Sequence, residues 1–126
     1  METIDLCDPR GGVWRVEIPG TGRERARGLL GRDGLPAHHA MLFEGARSVH
    51  TFGMRFPIDA VVLDAELRVL AVRRLRPNRL LRPRPRGRHV LETPAGSGLR
   101  PGDRLAPAAE PGELRAGRGR ERAGPS

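Results

Sequence analysis

Apolar and polar residues alternate with a period of two over several short stretches of the chain. Residues 13–18 do so most cleanly. Trp14, Val16 and Ile18 fall on one side, and Val13, Arg15 and Glu17 on the other. One apolar face at period two predicts a half-buried strand. Residues 3–7 alternate more loosely and predict an edge strand, joined to the next by Asp8-Pro9-Arg10-Gly11-Gly12, which is turn chemistry. Short apolar runs follow at 40–43 and 49–52. After Pro57, residues 58–64 form the strongest strand signal, and residues 67–73 return after a tight connection, so the pair predicts a β-hairpin. Its turn, Ala65-Glu66-Leu67, offers no glycine or asparagine. A left-handed Leu67 there costs about 1–2 kcal/mol. Strand character resumes at 88–92, Ala95-Gly96-Ser97-Gly98 predicts a loop, and 104–106 a last short strand.

One segment changes period. Thr21 and Glu24 have the spacing of a capping box. Ala26, Leu29 and Leu30 then share a helical face, with Gly31 and Pro36 as stops. Gly28 inside this segment costs about 1 kcal/mol relative to alanine, which predicts that something packs closely against it.

The chain has 126 residues, enough for one domain, assigned to residues 1–107. From residue 108 onward the composition turns to Gly, Arg, Glu, Ala and Pro, with Leu114 the one large apolar residue after 110. Such a segment does not offset its own ordering entropy, and disorder is expected over 108–126. The single cysteine, Cys7, cannot form an internal disulfide, which favours the cytoplasm, and its place in the first strand favours the role of a small buried hydrophobe. Residues 1–10 hold no apolar stretch of signal-peptide length, and no window nears the ~20 apolar residues of a membrane span. A monomer is expected.

Several motifs occur in a fixed order. They are Arg25-Ala26-Arg27-Gly28-Leu29-Leu30-Gly31-Arg32, then Met41-Leu42-Phe43, then the stretch from His50 through Phe52-Gly53-Met54-Arg55-Phe56 to Pro57-Ile58-Asp59, and finally Val90-Leu91-Glu92, Ala95-Gly96 and Gly102-Asp103. Over residues 3–106 this series resembles the family known as domain of unknown function 192 (DUF192). The resemblance implies an α+β fold: a small, mostly antiparallel, barrel-like β-domain with one helix in its N-terminal half. It implies no established reaction. Members in some bacteria lie beside pilus or secretion machinery, which makes a link to such machinery an expectation for this chain. The missing glycine at Glu66-Leu67 departs from the family's usual hairpin.

The candidate ligand site is His50, Phe52, Met54, Arg55, Asp59 and Glu92, where these motifs concentrate. Phe52, Met54 and Phe56 supply either an adaptable apolar surface for a partner or, by alternation, core packing. Asp59 shares a strand face with Val61 and Leu63, and Glu92 shares one with Val90, so both carboxyls need partners. Arg55 is the nearest candidate for Asp59. Two inward carboxyls on neighbouring strands make either an acid–base pair or two structural groups. His50, near Asp59 or Glu92, would complete a cluster for a small hydrolase-like enzyme. No catalytic residue is assigned. His38, His39, His50 and His89 match no metal-ligand spacing, and neither metal nor cofactor is expected.

The net charge is +8, and all 23 basic residues are arginines. A GC-rich genome explains such a composition, and so does selection for polyanion binding. Arg73, Arg74, Arg76, Arg79, Arg82, Arg84, Arg86 and Arg88 crowd one stretch containing no acidic residue. The stretch reads as a solvated basic loop, with weak electrostatic binding to polyanions as the alternative. Specific nucleic-acid recognition is not expected, because no aromatic residue follows Phe56 to stack on bases and no recognition helix is visible. The leading expectation is a non-catalytic binding or accessory module for a protein or small-molecule partner.

Overall fold

A computed structural model describes residues 1–108. Seven strands run in chain order: β1 (Glu2–Cys7), β2 (Val13–Ile18), β3 (His39–Glu44), β4 (Ile58–Leu63), β5 (Val69–Leu75), β6 (His89–Pro94) and β7 (Ala106–Pro107), with one helix, α1 (Gly22–Arg27), after β2. They form one sheet in the order β5-β4-β6-β3-β2-β1-β7, curled into a half-barrel. Its opposite edges approach each other where Arg68 bridges Arg104 and Val69 N–H donates to the Asp103 carbonyl at 2.7 Å. The described residues are therefore mostly β, with a single short helix. Among the described residues no helix is long and apolar enough to cross a membrane.

All named strand pairs are antiparallel except β2 with β3. A parallel pair needs a crossover rather than a tight turn, and α1 lies in that crossover. The capping box forms as expected. Glu24 N–H donates to Thr21 Oγ1 at 3.1 Å, and Thr21 N–H donates back to Glu24 Oε1 at 3.1 Å. The helix is shorter than the apolar spacing predicts. It ends at Gly28, whose φ of 49° leaves the helical region, and a Cβ there would lie 3.3 Å from Phe43 Cζ. The close packing expected at Gly28 is thus the ring of Phe43.

The hairpin between β4 and β5 does place Leu67 in the left-handed region, at φ 64°. Asp64 compensates: its Oδ1 accepts from Glu66 N–H at 2.8 Å and from Arg68 N–H at 2.9 Å. An Asx-type side chain organises the turn that glycine would otherwise ease. Cys7, expected to be buried, is only partly so, at the end of β1 opposite Val13 and Ala106.

Apolar residues pack on both faces of the sheet. One face gathers Trp14, Val16, Leu42, Val61, Leu63 and Leu91. The other gathers Met41, Phe43, Ile58, Ala60, Val62 and Val90, and is covered by Leu29, Met54 and Leu81 from the connecting segments. Every residue of β4 is buried, because that strand is sandwiched by both clusters. The tail expected over 108–126 lies almost wholly outside the described residues.

Candidate functional site

Glu92 sits on β6 between β3 and β4, directly opposite Met41 on one side and Ala60 on the other. Both neighbours are fully buried, and Glu92 itself is 3% exposed. Among the described residues no hydrogen-bond donor or cation pairs with its carboxyl. Burial raises its pKa from 4.5 to about 8. A buried ionisable group without a partner takes the neutral form, since taking the charge out of water costs far more than protonation.

Glu92 lies in the wall of a cavity of about 220 Å³. Leu29, Phe43 and Met54 contribute its apolar surface. His50 and Phe52 stand towards solvent, their rings stacked with centroids 4.8 Å apart. Arg25 and Arg27, from the last turn of α1, also line it. The segment carrying His50 is held by Thr51, which is fully buried. Its hydroxyl donates to the Arg76 carbonyl at 2.6 Å and accepts from Arg79 N–H at 2.9 Å, while Asn78 Oδ1 accepts from Gly53 N–H at 3.0 Å. Gly53, at φ 79°, reverses the chain so that Met54 is buried while Phe52 stays half exposed. The turn breaks the strand-like alternation that would have put Phe52, Met54 and Phe56 together in the core.

The structure thus brings His50, Phe52, Met54 and Glu92 to one cavity and separates two residues from them. Asp59 pairs with Thr93 in register, one position away from Glu92, so it points to the opposite face of the sheet. The two carboxyls do not form an acid–base pair, and Asp59 cannot join His50 in a cluster with Glu92. Asp59 is held instead by Arg74 Nε at 2.6 Å, Ser97 N–H at 3.0 Å and Gly96 N–H at 3.1 Å. Burial opposes its ionisation, but these donors outweigh burial and hold its pKa below the ordinary value. Arg55, the nearest partner for Asp59 in the sequence, pairs with Asp33 at 2.8 Å, and both side chains are exposed. Among the described residues no three His, Cys, Asp or Glu side chains are gathered as a metal would require.

Arg73, Arg74, Arg76, Arg79, Arg82, Arg84, Arg86 and Arg88 are all exposed. Only Arg74 of these eight makes an ion pair among the described residues. Reasoning from sequence missed Leu29, Phe43, Arg25 and Arg27 as cavity residues. The signal available was their membership of the ordered motifs, which says nothing of the side of the sheet they cover.

A family model described as "Uncharacterized ACR", DUF192, matches residues 7–107. The chain belongs to the DUF192 family. A UPF0127 protein of Thermococcus sibiricus is 33% identical over 95 residues, which cover 69% of this chain and 60% of that relative. A UPF0127 protein of Pyrococcus horikoshii is 41% identical over 49 residues, covering 39% of this chain and 43% of the relative. The matched stretches therefore span less than two thirds of these relatives' lengths. Two solved structures share the fold of this DUF192 chain. One, a protein of unknown function from Novosphingobium aromaticivorans, has a TM-score of 0.70 at 23% identity, covering 82% of this chain and 83% of its own. The other, from Sinorhizobium meliloti and carrying a provisional description as a transcription regulator, has a TM-score of 0.70 at 26% identity, covering 84% and 92%.

Proposed function

We propose that this DUF192 domain is a non-catalytic binding module, monomeric and cytoplasmic, that takes a small molecule in the cavity bounded by Glu92, Met54, Phe43, Leu29 and His50. The observation that carries this is Glu92. A carboxyl 3% exposed, lining a cavity and lacking a partner among the described residues, is an expense the fold bears without structural return. Asp59 shows what the same chain does with a structural carboxyl: it surrounds it with donors. Apolar walls with a few polar groups are the usual make-up of a ligand pocket.

Hydrolase-like chemistry finds less support. The second carboxyl it called for is on the other face of the sheet, and Ser48, the hydroxyl on the cavity, donates to the Leu81 carbonyl at 2.9 Å. The link to pilus or secretion machinery draws no support from the site's geometry. A second reading has its own observation: seven exposed arginines over 73–88 without an ion pair among the described residues make a polyanion-attracting surface. Its test is binding to a DNA duplex at two salt concentrations, where affinity indifferent to salt removes it.

A thermal-shift screen of metabolite-sized compounds tests the main proposal, with Ala26→Trp as control. Ala26 lines the cavity and is exposed, so the indole blocks the entrance while leaving the core intact. A ligand at a hundredfold its Kd stabilises by about 2.7 kcal/mol. That corresponds to a Tm rise of roughly ten degrees or more for a domain of this size. Hits lost in Ala26→Trp support the cavity; hits indifferent to it place binding elsewhere.

A further inference from the structure

The cavity gathers groups of both charges. Glu92, 3% exposed, lines it with neither a hydrogen-bond donor nor an ion-pair partner among the described residues. Leu29, Phe43 and Met54 line it as well. Arg25 and Arg27 line it from α1, and neither has an acidic partner among the described residues, although Arg32 on the same segment pairs with Glu17 at 2.9 Å. The titratable and charged groups on the cavity are therefore Glu92, His50, Arg25 and Arg27; the strand neighbours Met41 and Ala60 contribute none.

We propose, building on the small-molecule reading above, that the occupant is a compact zwitterion: an ammonium on the Glu92 carboxylate, a short apolar chain along Leu29, Phe43 and Met54, and a carboxylate on Arg25 and Arg27. A cation is the partner that makes ionised Glu92 tenable, because attraction between opposite charges grows as water is excluded. A bare cation is disfavoured, since it enters a cavity lined by two arginines on a chain of net charge +8. An anionic end turns that repulsion into attraction. At about 220 Å³ the cavity is smaller than the ~300–1,000 Å³ typical of drug-sized ligands, so the spacer is short.

Binding has a proton balance. At pH 7 the free protein holds most of Glu92 as the neutral acid. The ammonium arrives already charged, so Glu92 must release its proton to solvent when the ion pair forms. Calorimetry of the full chain at pH 7, in two buffers of different ionisation enthalpy, reads this release directly. The probes are 4-aminobutyrate, 5-aminopentanoate and 6-aminohexanoate, with butylamine, butyrate and 1,4-butanediol as comparisons. One amino acid should bind about tenfold or more tightly than butylamine and butyrate, releasing close to one proton. Glu92→Gln should weaken it about tenfold or more, the worth of one buried charge contact, and remove the proton release. Arg25→Ala/Arg27→Ala should reduce it to the affinity of butylamine. Amino acids that bind no better than butylamine or butyrate, or that bind without releasing a proton, overturn the zwitterion. If the diol binds through Glu92 and the amino acids do not, the cavity stands as a binding site and the ligand class falls. If no probe binds and no screened compound depends on Ala26, both fall together.

Discussion

Asp59 and Glu92 lie on neighbouring strands, both nearly inaccessible to water, and the fold treats them in opposite ways. Asp59 receives three donors, from Arg74, Gly96 and Ser97, and so ties β4 to β5 and to the loop after β6. Glu92 receives none among the described residues and borders a cavity. Its donors favour the charged form of Asp59, whereas burial without a partner among the described residues favours the neutral form of Glu92 on the cavity wall. Burial alone therefore does not distinguish a structural acid from a functional one; the partner set does.

The comparison is broken or sharpened most by changing Glu92. Its pKa is raised in the folded state, so stability is fully present below about pH 4.5 and is lost as pH climbs towards about 8. The loss amounts to roughly 3–5 kcal/mol. Glu92→Gln is expected to match the native protein at pH 5 and to exceed it by about that much at pH 9, read by urea unfolding at both pH values. Equal stability at pH 9 would mean that Glu92 has a partner after all.

Asp59→Ala should act the other way, costing about 2–3 kcal/mol at pH 7 as the Gly96 and Ser97 N–H groups lose their acceptor. Because its folded pKa is depressed, that contribution should fade as pH falls below about 3.8, and the difference between Asp59→Ala and native protein should shrink in acid. A penalty independent of pH would show that shape, not charge, matters at this position. Gly28→Ala comes next, at about 1–2 kcal/mol, because an alanine must hold a positive φ and press on Phe43 at 3.3 Å. It should also weaken any cavity ligand, since Phe43 forms part of the wall. Arg74→Ala should have the smallest effect, below about 1 kcal/mol, because Arg74 is 57% exposed and the two backbone donors remain. If Arg74→Ala matches Asp59→Ala, the ion pair and not the backbone clasp holds β4.

Much of the fold was legible in the chain. Trp14, Val16 and Ile18 announced β2 to the residue, and the capping box at Thr21 announced α1. The end of the helix is less so, since the crowding at Gly28 comes from Phe43 on a distant strand. The site was half legible. His50, Phe52, Met54 and Glu92 were named from sequence and share the cavity. The sequence groups Asp59 with them, because alternation shows which residues share a face within a strand and not which face matches that of the next. That choice rests on register: pairing Asp59 with Thr93 rather than Glu92 sends the two acids to opposite sides. Arg74, second of the eight arginines over 73–88, looks like its neighbours in the sequence, and only the sheet places it across from Asp59.

The most direct test follows the Glu92 carboxyl carbon by ¹³C NMR as pH is raised on the unliganded protein. A titration midpoint near 8 is the result predicted for an unpaired acid bordering the cavity. A midpoint near 4.5 would show a carboxylate already satisfied, and would leave the cavity without its defining group.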